Sequence, residues 1–189
     1  KQIRIEGDNG GEEVTINLGN GGFAPGYGDE AGDTDEIEFI LLMGQGWDRL
    51  DIEGTAGADE IAFGSKPGAW VPTPAINLNG DGDHDVLYQS ADFVIAWGYG
   101  GNDTLTGNDP STGTAFLPIR LTGGSGNDML TGGSAADVLW GDGGNDTLKG
   151  GKGNDKLYTK DGVEGNDSAN GGAGTDTCIS DPEDFVSAC

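Results

Sequence analysis

The sequence predicts an all-β chain of short strands joined by tight turns, on three observations. Glycine and aspartate recur every nine residues from residue 123 onward. Thirty-eight of the 189 residues are glycine, with no three-residue period of the collagen kind. All seven prolines (Pro25, Pro67, Pro72, Pro74, Pro110, Pro118 and Pro182) stand outside the nine-residue units. Strands that use every backbone donor in a ladder require that exclusion.

Residues 1–53 do not follow the repeat. Ile3–Ile5, Val14–Leu18 and Ile37–Met43 read as strands, and Asp35/Ile37 and Asp48/Leu50 as decayed units. Their expected role is an N-terminal β cap, because the open end of a stack exposes its core and its edges. The repeat body spans 54–179. It opens with GTAGADEIA at Gly54, followed by weaker units at Gly80 (GDGDHDVLY) and Gln89 (QSADFVIAW), then GYGGNDTLT at Gly98. From Gly123 four units run without a break: GGSGNDMLT, GGSAADVLW, GDGGNDTLK and GGKGNDKLY. Three inserted residues, Thr159–Asp161, precede GVEGNDSAN and GGAGTDTCI. Two insertions, 63–79 and 107–122, hold five of the prolines and read as surface loops leaving the body.

Each unit has a physical reading. Glycine at positions one, two and four suits a turn with positive φ. Aspartate at position six sets a carboxylate at the end of the turn. The apolar residue at position eight points inward from a three-residue strand, and positions seven and nine point outward. One unit is half a coil, so a unit stacks on the next but one.

The pattern G-G-x-G-x-D-x-U-x resembles the RTX, or hemolysin-type, calcium-binding nonapeptide family across roughly 54–179. The resemblance implies a right-handed parallel β-roll, with calcium between stacked turns on Asp carboxylates and backbone carbonyls. Oxygen-only ligands suit that hard cation. Counting units through the insertions puts Asp85, Asp103, Asp137, Asp155 and Asp176 in one ladder. The other holds Asp59, Val94, Asp128, Asp146 and Asp167, broken at Val94. Six inter-turn calcium sites follow: 85/103, 103/137, 137/155, 155/176, 128/146 and 146/167. The plainer alternative is that these aspartates only close Asx-turns. Ala135 departs from the pattern at position four, where positive φ is costly. Asn77, Asn79, Asp81, Gly82 and Asp85 also resemble an EF-hand-like loop, without its terminal glutamate.

Thirty-three acidic against nine basic residues give a net charge of −24, which excludes nucleic acid as a partner. No apolar run approaches the ~18 residues of a membrane helix. No G-x-S-x-G, Walker or zinc-protease motif occurs, and the single histidine, His84, has no recognisable catalytic partner, so no enzyme is expected. Cys178 and Cys189 read as a disulfide of an oxidising compartment, with two reduced thiols as the other reading. With Cys178 at position eight, the tail 180–189 is expected to fold back over the end, carrying Phe185 and Val186. The ending GTDTC…C resembles calcium-binding proteins exported by the general secretory route.

Position nine carries Tyr88, Thr106, Trp140, Tyr158 and Ile179 on one side of the expected stack. Tyr88, Trp140 and Tyr158 are therefore candidates for an exposed partner surface, unless the insertions fold over them. The expected function is a secreted protein whose folding is driven by calcium. The alternative is an extracellular structural or adhesive protein that self-associates or binds a surface or glycan.

Overall fold

In the computed structural model the described residues are 2–19, 38–65, 73–78, 84–109 and 113–189. Among them every regular element is a strand and none is a helix. The N-terminal strands are β1 (Gln2–Glu6), β2 (Glu13–Asn17), β3 (Glu38–Leu42) and β4 (Arg49–Glu53). Next come β5 (Glu60–Ser65), β6 (Pro74–Asn77), β7 (Val86–Gln89), β8 (Phe93–Gly100) and β9 (Thr104–Thr106). A short pair, β10 (Asn108–Asp109) and β11 (Gly113–Thr114), leads into β12 (Ile119–Ser125), β13 (Met129–Thr131) and β14 (Val138–Gly143). The chain finishes with β15 (Thr147–Lys152), β16 (Lys156–Tyr158), β17 (Ser168–Ala173), β18 (Thr177–Ile179) and β19 (Phe185–Ser187).

Two sheets divide these strands: a ten-stranded one in the order β1-β3-β7-β6-β5-β9-β13-β15-β17-β19, and a seven-stranded one in the order β18-β16-β14-β12-β8-β4-β2. From β12 to β19 successive strands alternate between the sheets, and each pairs in parallel with the strand two away. That is the next-but-one stacking expected of the repeat, at an offset of eighteen residues where no insertion intervenes. The position-eight residues line up across the ladders: Leu105, Leu130, Leu148 and Ala169 in one sheet, Leu121, Leu139, Leu157 and Cys178 in the other. Leu105, Leu130, Leu139, Leu148 and Leu157 are fully buried and form one core with Leu50, Ile52 and Ile61.

Neither insertion is simply a loop leaving the body. Of segment 63–79, residues 63–65 continue β5 and Pro74–Asn77 form β6, antiparallel to β5 and to β7, within the ten-stranded sheet. Segment 107–122 contributes Ile119–Thr122, which form the first half of β12 and pair with β8 and β14. That strand is a half-coil, and the units at 80, 89 and 98 lie on the opposite side from a count that skips it, whereas the unit at 54 keeps its place with the unit at 123. The turns of the decayed unit Asp35/Ile37 and most of the EF-hand-like loop (Asn79, Asp81, Gly82) lie outside the described residues.

The tail does not fold back over the end. It adds one more strand, β19, in parallel register with β17, and leaves Phe185 67% and Val186 39% exposed. The bond between Cys178 and Cys189 is present, tying β18 of one sheet to the end of the chain beyond β19 of the other.

Candidate metal centre

The turns that connect the sheets hold the expected aspartates. One stack joins the seven-stranded sheet to the ten-stranded one. In it the amide of Asp59 donates to Asp103 Oδ1, and that of Asp103 to Asp128 Oδ1, each at 2.8 Å. Asp128 continues to Asp146 Oδ1 at 2.9 Å and Asp146 to Asp167 Oδ1 at 2.7 Å. On the opposite side Ile119 donates to Asp137 Oδ1, Asp137 to Asp155 Oδ1 and Asp155 to Asp176 Oδ1, at 2.8–2.9 Å.

The two ladders differ in membership from the sequence count. Asp103 stacks on Asp128 and not on Asp137, and Val94 pairs with Ile119 on the other side, so it breaks no ladder. The cause is the half-coil of β12. Asp85 does not continue either ladder: β7 lies between β3 and β6, and the Asp85 carboxylate accepts the Leu78 amide at 2.6 Å.

A carboxylate has room for several donors, yet most of these use one oxygen only. Oδ2 of Asp103, Asp128, Asp146, Asp155, Asp167 and Asp176 is buried without a hydrogen-bond partner. Such an atom is expensive unless a cation or donor satisfies it. Asp59 and Asp137 are different, because their Oδ2 atoms accept the Thr55 and Gly133 amides at 2.7 and 2.6 Å. The Asp137 turn is the one with Ala135 at position four, and neither Gly133 nor Ala135 there has positive φ. The Asp59 turn likewise lacks positive φ at Thr55 and Gly57, and in both turns this backbone course satisfies the turn's own aspartate.

The glycines show how tightly the oxygens converge. Positive φ belongs mostly to positions two and four, as at Gly124 (108°) and Gly126 (137°); among the described position-one glycines only Gly162, after the three-residue insertion, has it (94°). Position one is glycine for another reason: a Cβ on Gly132 would stand 2.6 Å from Asp137 Oδ2 and closer still to the carbonyl of Gly150 in the next turn. A Cβ on Gly98 would likewise meet Asp103 Oδ2 and, at 2.5 Å, the Gly123 carbonyl. The turns at Gly98, Gly132 and Gly150 thus bring a carboxylate oxygen and a carbonyl of the following turn to one spot.

Burial, opposed by the amide hydrogen bond and reinforced by the neighbouring carboxylates, pushes Asp103, Asp146 and Asp167 up to about 6. Asp137 is also pushed up to about 6 by burial, and Asp128 and Asp155 move in the same direction for the same first cause. No ion pair among the described residues neutralises any of them. The donor set is oxygen only, repeated and uncompensated, which fits a hard divalent cation. No three His, Cys, Asp or Glu side chains converge among the described residues, so backbone carbonyls have to complete any such site.

On the outer face of the seven-stranded sheet, Trp140 stacks on Tyr158 with centroids 5.2 Å apart, and the Arg120 guanidinium lies 4.7 Å above Trp140. Both aromatics are half-buried. Tyr88 does not belong to this row: it pairs with Leu41 in the other sheet and is 1% exposed. In β7 Val86 and Tyr88 face inward and Leu87 does not, a one-residue shift that exchanges the faces. Trp97, aligned with Thr122 and Trp140, takes its place in the row.

Residues 122–158 and 161–182 match the family model described as the RTX calcium-binding nonapeptide repeat (4 copies). No curated protein and no solved structure gives a match.

Proposed function

With residues 122–158 and 161–182 belonging to the RTX calcium-binding nonapeptide repeats, a family whose repeats bind Ca2+, we propose that this chain is a secreted calcium-binding right-handed β-roll whose folding is driven by the ions it takes up. The buried, unpartnered Oδ2 atoms of the stacked aspartates carry this reading. Asp103, Asp128, Asp146 and Asp167 on one side, and Asp155 and Asp176 on the other, would hold the ions, with the carbonyls of adjoining turns beside them. Asp137 lends its carboxylate charge to the second row. Bound calcium supplies the positive charge and coordination that these oxygens lack.

Segment 1–53 acts as the cap of the roll, and 180–189 as its last rung, locked by the disulfide. The chain acts as a binding and structural element. Extracellular modules bind calcium at ~0.1–1 mM, so the fold is marginal where calcium is scarce and is completed outside. Circular dichroism of the full chain with calcium and in excess chelator tests this. A stronger β signal and a higher melting temperature are expected with calcium, and an unchanged spectrum and melting temperature in chelator would refute it.

A second reading, an extracellular structural or adhesive protein, is favoured by the outer face of the seven-stranded sheet. There a cavity of about 390 Å3 is lined by Arg49, Phe93, Ile95, Trp97, Arg120 and Val138. Arg120 has no carboxylate partner among the described residues. A guanidinium above stacked aromatics suits a glycan or a second protein surface. Replacing Trp140 and Tyr158 together by Ser separates the two readings. Lost association at unchanged stability supports a partner surface, whereas lost stability with association intact makes the pair packing only.

A further inference from the structure

The matched repeats begin at residue 122, yet the same oxygen arrangement recurs near the N-terminus. The turn 7–12 reads GDNGGE and the turn 43–48 reads MGQGWD, with Glu12 and Asp48 at the end of each. Neither is a G-G-x-G-x-D unit. Even so, Gly44 and Gly46 adopt φ of 84° and 140°, the positions and signs seen at Gly124 and Gly126. The Glu12 amide donates to Asp48 Oδ1 at 3.0 Å, and the Asp48 amide to Asp92 Oδ2 at 2.9 Å. This is the amide-to-next-carboxylate bond of the repeat turns, in sequence that lacks the repeat.

Two observations point to a ligand. Asp48 is 1% exposed, and its Oδ2, like Oε2 of Glu12, is buried with no hydrogen-bond partner. The nearest basic side chain in sequence, Arg49, is committed to Asp51 and Glu13. Further, a Cβ on Gly7 would stand 2.7 Å from the Met43 carbonyl and 2.9 Å from Glu12 Oε2. The same two partners, the turn's own carboxylate and the first carbonyl of the next turn, surround Gly98 and Gly132.

We propose that Glu12 and Asp48, with the Met43 carbonyl, form a further calcium site in the N-terminal segment, outside the matched repeats. The donors are all oxygen and carry two negative charges, which suits a hard divalent cation over zinc or copper. The site closes the otherwise unmatched end of the stack, holding β2 against β4 as the repeat ions hold later strands. The inference rests on reading the repeat turns as calcium sites.

Bound calcium per full-length chain, counted by atomic absorption after dialysis against calcium buffer, tests it in the wild type and in Asp48→Asn, Glu12→Gln and Asp155→Asn. Both N-terminal variants are expected to carry one ion fewer than the wild type. Terbium emission sensitised through Trp47, the neighbour of Asp48, is expected to fall in Asp48→Asn and Glu12→Gln but not in Asp155→Asn. If Asp48→Asn does not fold, Glu12→Gln decides, since Glu12 is only half-buried. A full ion count in Glu12→Gln, with ions lost in Asp155→Asn, overturns this site and leaves the repeat sites standing. A wild type that binds no calcium overturns both.

Discussion

The backbone amide of Asp128 donates to Oδ1 of Asp146, eighteen residues further on and 2.9 Å away, while Oδ2 of each of these aspartates is buried and unpartnered. One oxygen of each carboxylate therefore serves the backbone ladder. The other accepts no hydrogen bond from the chain. The two functions respond differently to the same substitution.

Asp146→Asn keeps the Oδ1 acceptor and removes the charge. In chelator it is expected to stabilise the fold by about 1 kcal/mol, because a buried charge beside like charges is lost. In calcium it is expected to lower calcium affinity at least roughly tenfold and to reduce the melting temperature. Melting curves in both conditions check the crossed signs. A fall in both would mean that Asp146 acts through its hydrogen bond alone.

Proton and calcium compete for the same oxygens. Asp103, Asp137, Asp146 and Asp167 titrate at about 6 in the metal-free fold against a reference of 3.8, burial being the first cause. Above about 6 both folded and unfolded chains are ionised, and the fold bears the whole penalty of buried charge. As pH falls from 6 towards 4 the fold takes up protons first, so metal-free stability rises. Denaturant midpoints in chelator should be higher at pH 5 than at pH 7, while calcium affinity falls over the same interval. Equal or lower metal-free stability at pH 5 would contradict the burial of these groups.

Gly132→Ala sets a Cβ 2.6 Å from Asp137 Oδ2 and against a backbone carbonyl, and is expected to cost about 2 kcal/mol or more. Gly57→Ala is the control. Its Cβ meets only Thr55 Oγ1 at 3.6 Å, and its φ is not positive, so an effect within ~0.5 kcal/mol is expected. Chemical denaturation of the two proteins in calcium measures the difference, and equal losses would discard close approach as the reason for glycine at position one.

Cys189→Ser opens a cross-link between residues 11 apart in sequence and is expected to destabilise the protein by about 2–3 kcal/mol. The calcium count should be unchanged, because Cys189 is exposed and contributes no oxygen to the turns. Reduction of the wild type should reproduce the same loss in a thermal melt; a reduced protein as stable as the oxidised one would show that β19 holds without the bond.

The regular part of this architecture was legible because glycine, aspartate and leucine recur in one frame: Leu130, Leu139, Leu148 and Leu157 all lie fully buried where position eight puts them. Glycine also misled, by serving as the only punctuation. Ile119-Arg120-Leu121-Thr122 reads as the last four positions of a unit, but the glycine turn before it is replaced by the β10–β11 pair and by Ala115, whose carbonyl accepts the Ser134 amide at 2.8 Å. Skipping that half-coil moved Asp103 to the wrong row. Tyr88 was misread because the β5–β6 hairpin inserts antiparallel strands beside β7, and there the nine-residue frame no longer decides which face points inward. The turn at 7–12 was missed because Glu stands where the repeat has Asp.

The ladder bonds close over separations of 44, 25, 18 and 21 residues without changing partners. Residues inserted between two rungs, whole strands such as β6 and β7 included, thus leave the bonds on either side intact, and the repeating structural unit is the pair of nonapeptides. Duplication of eighteen residues inserts a rung with both carboxylate rows in phase. Duplication or loss of nine sends every later strand to the opposite sheet and splices one row onto the other. Lineages of such a gene should therefore differ in length by whole coils and by turn insertions, with single nonapeptides gained or lost only where a strand such as β12 restores the phase.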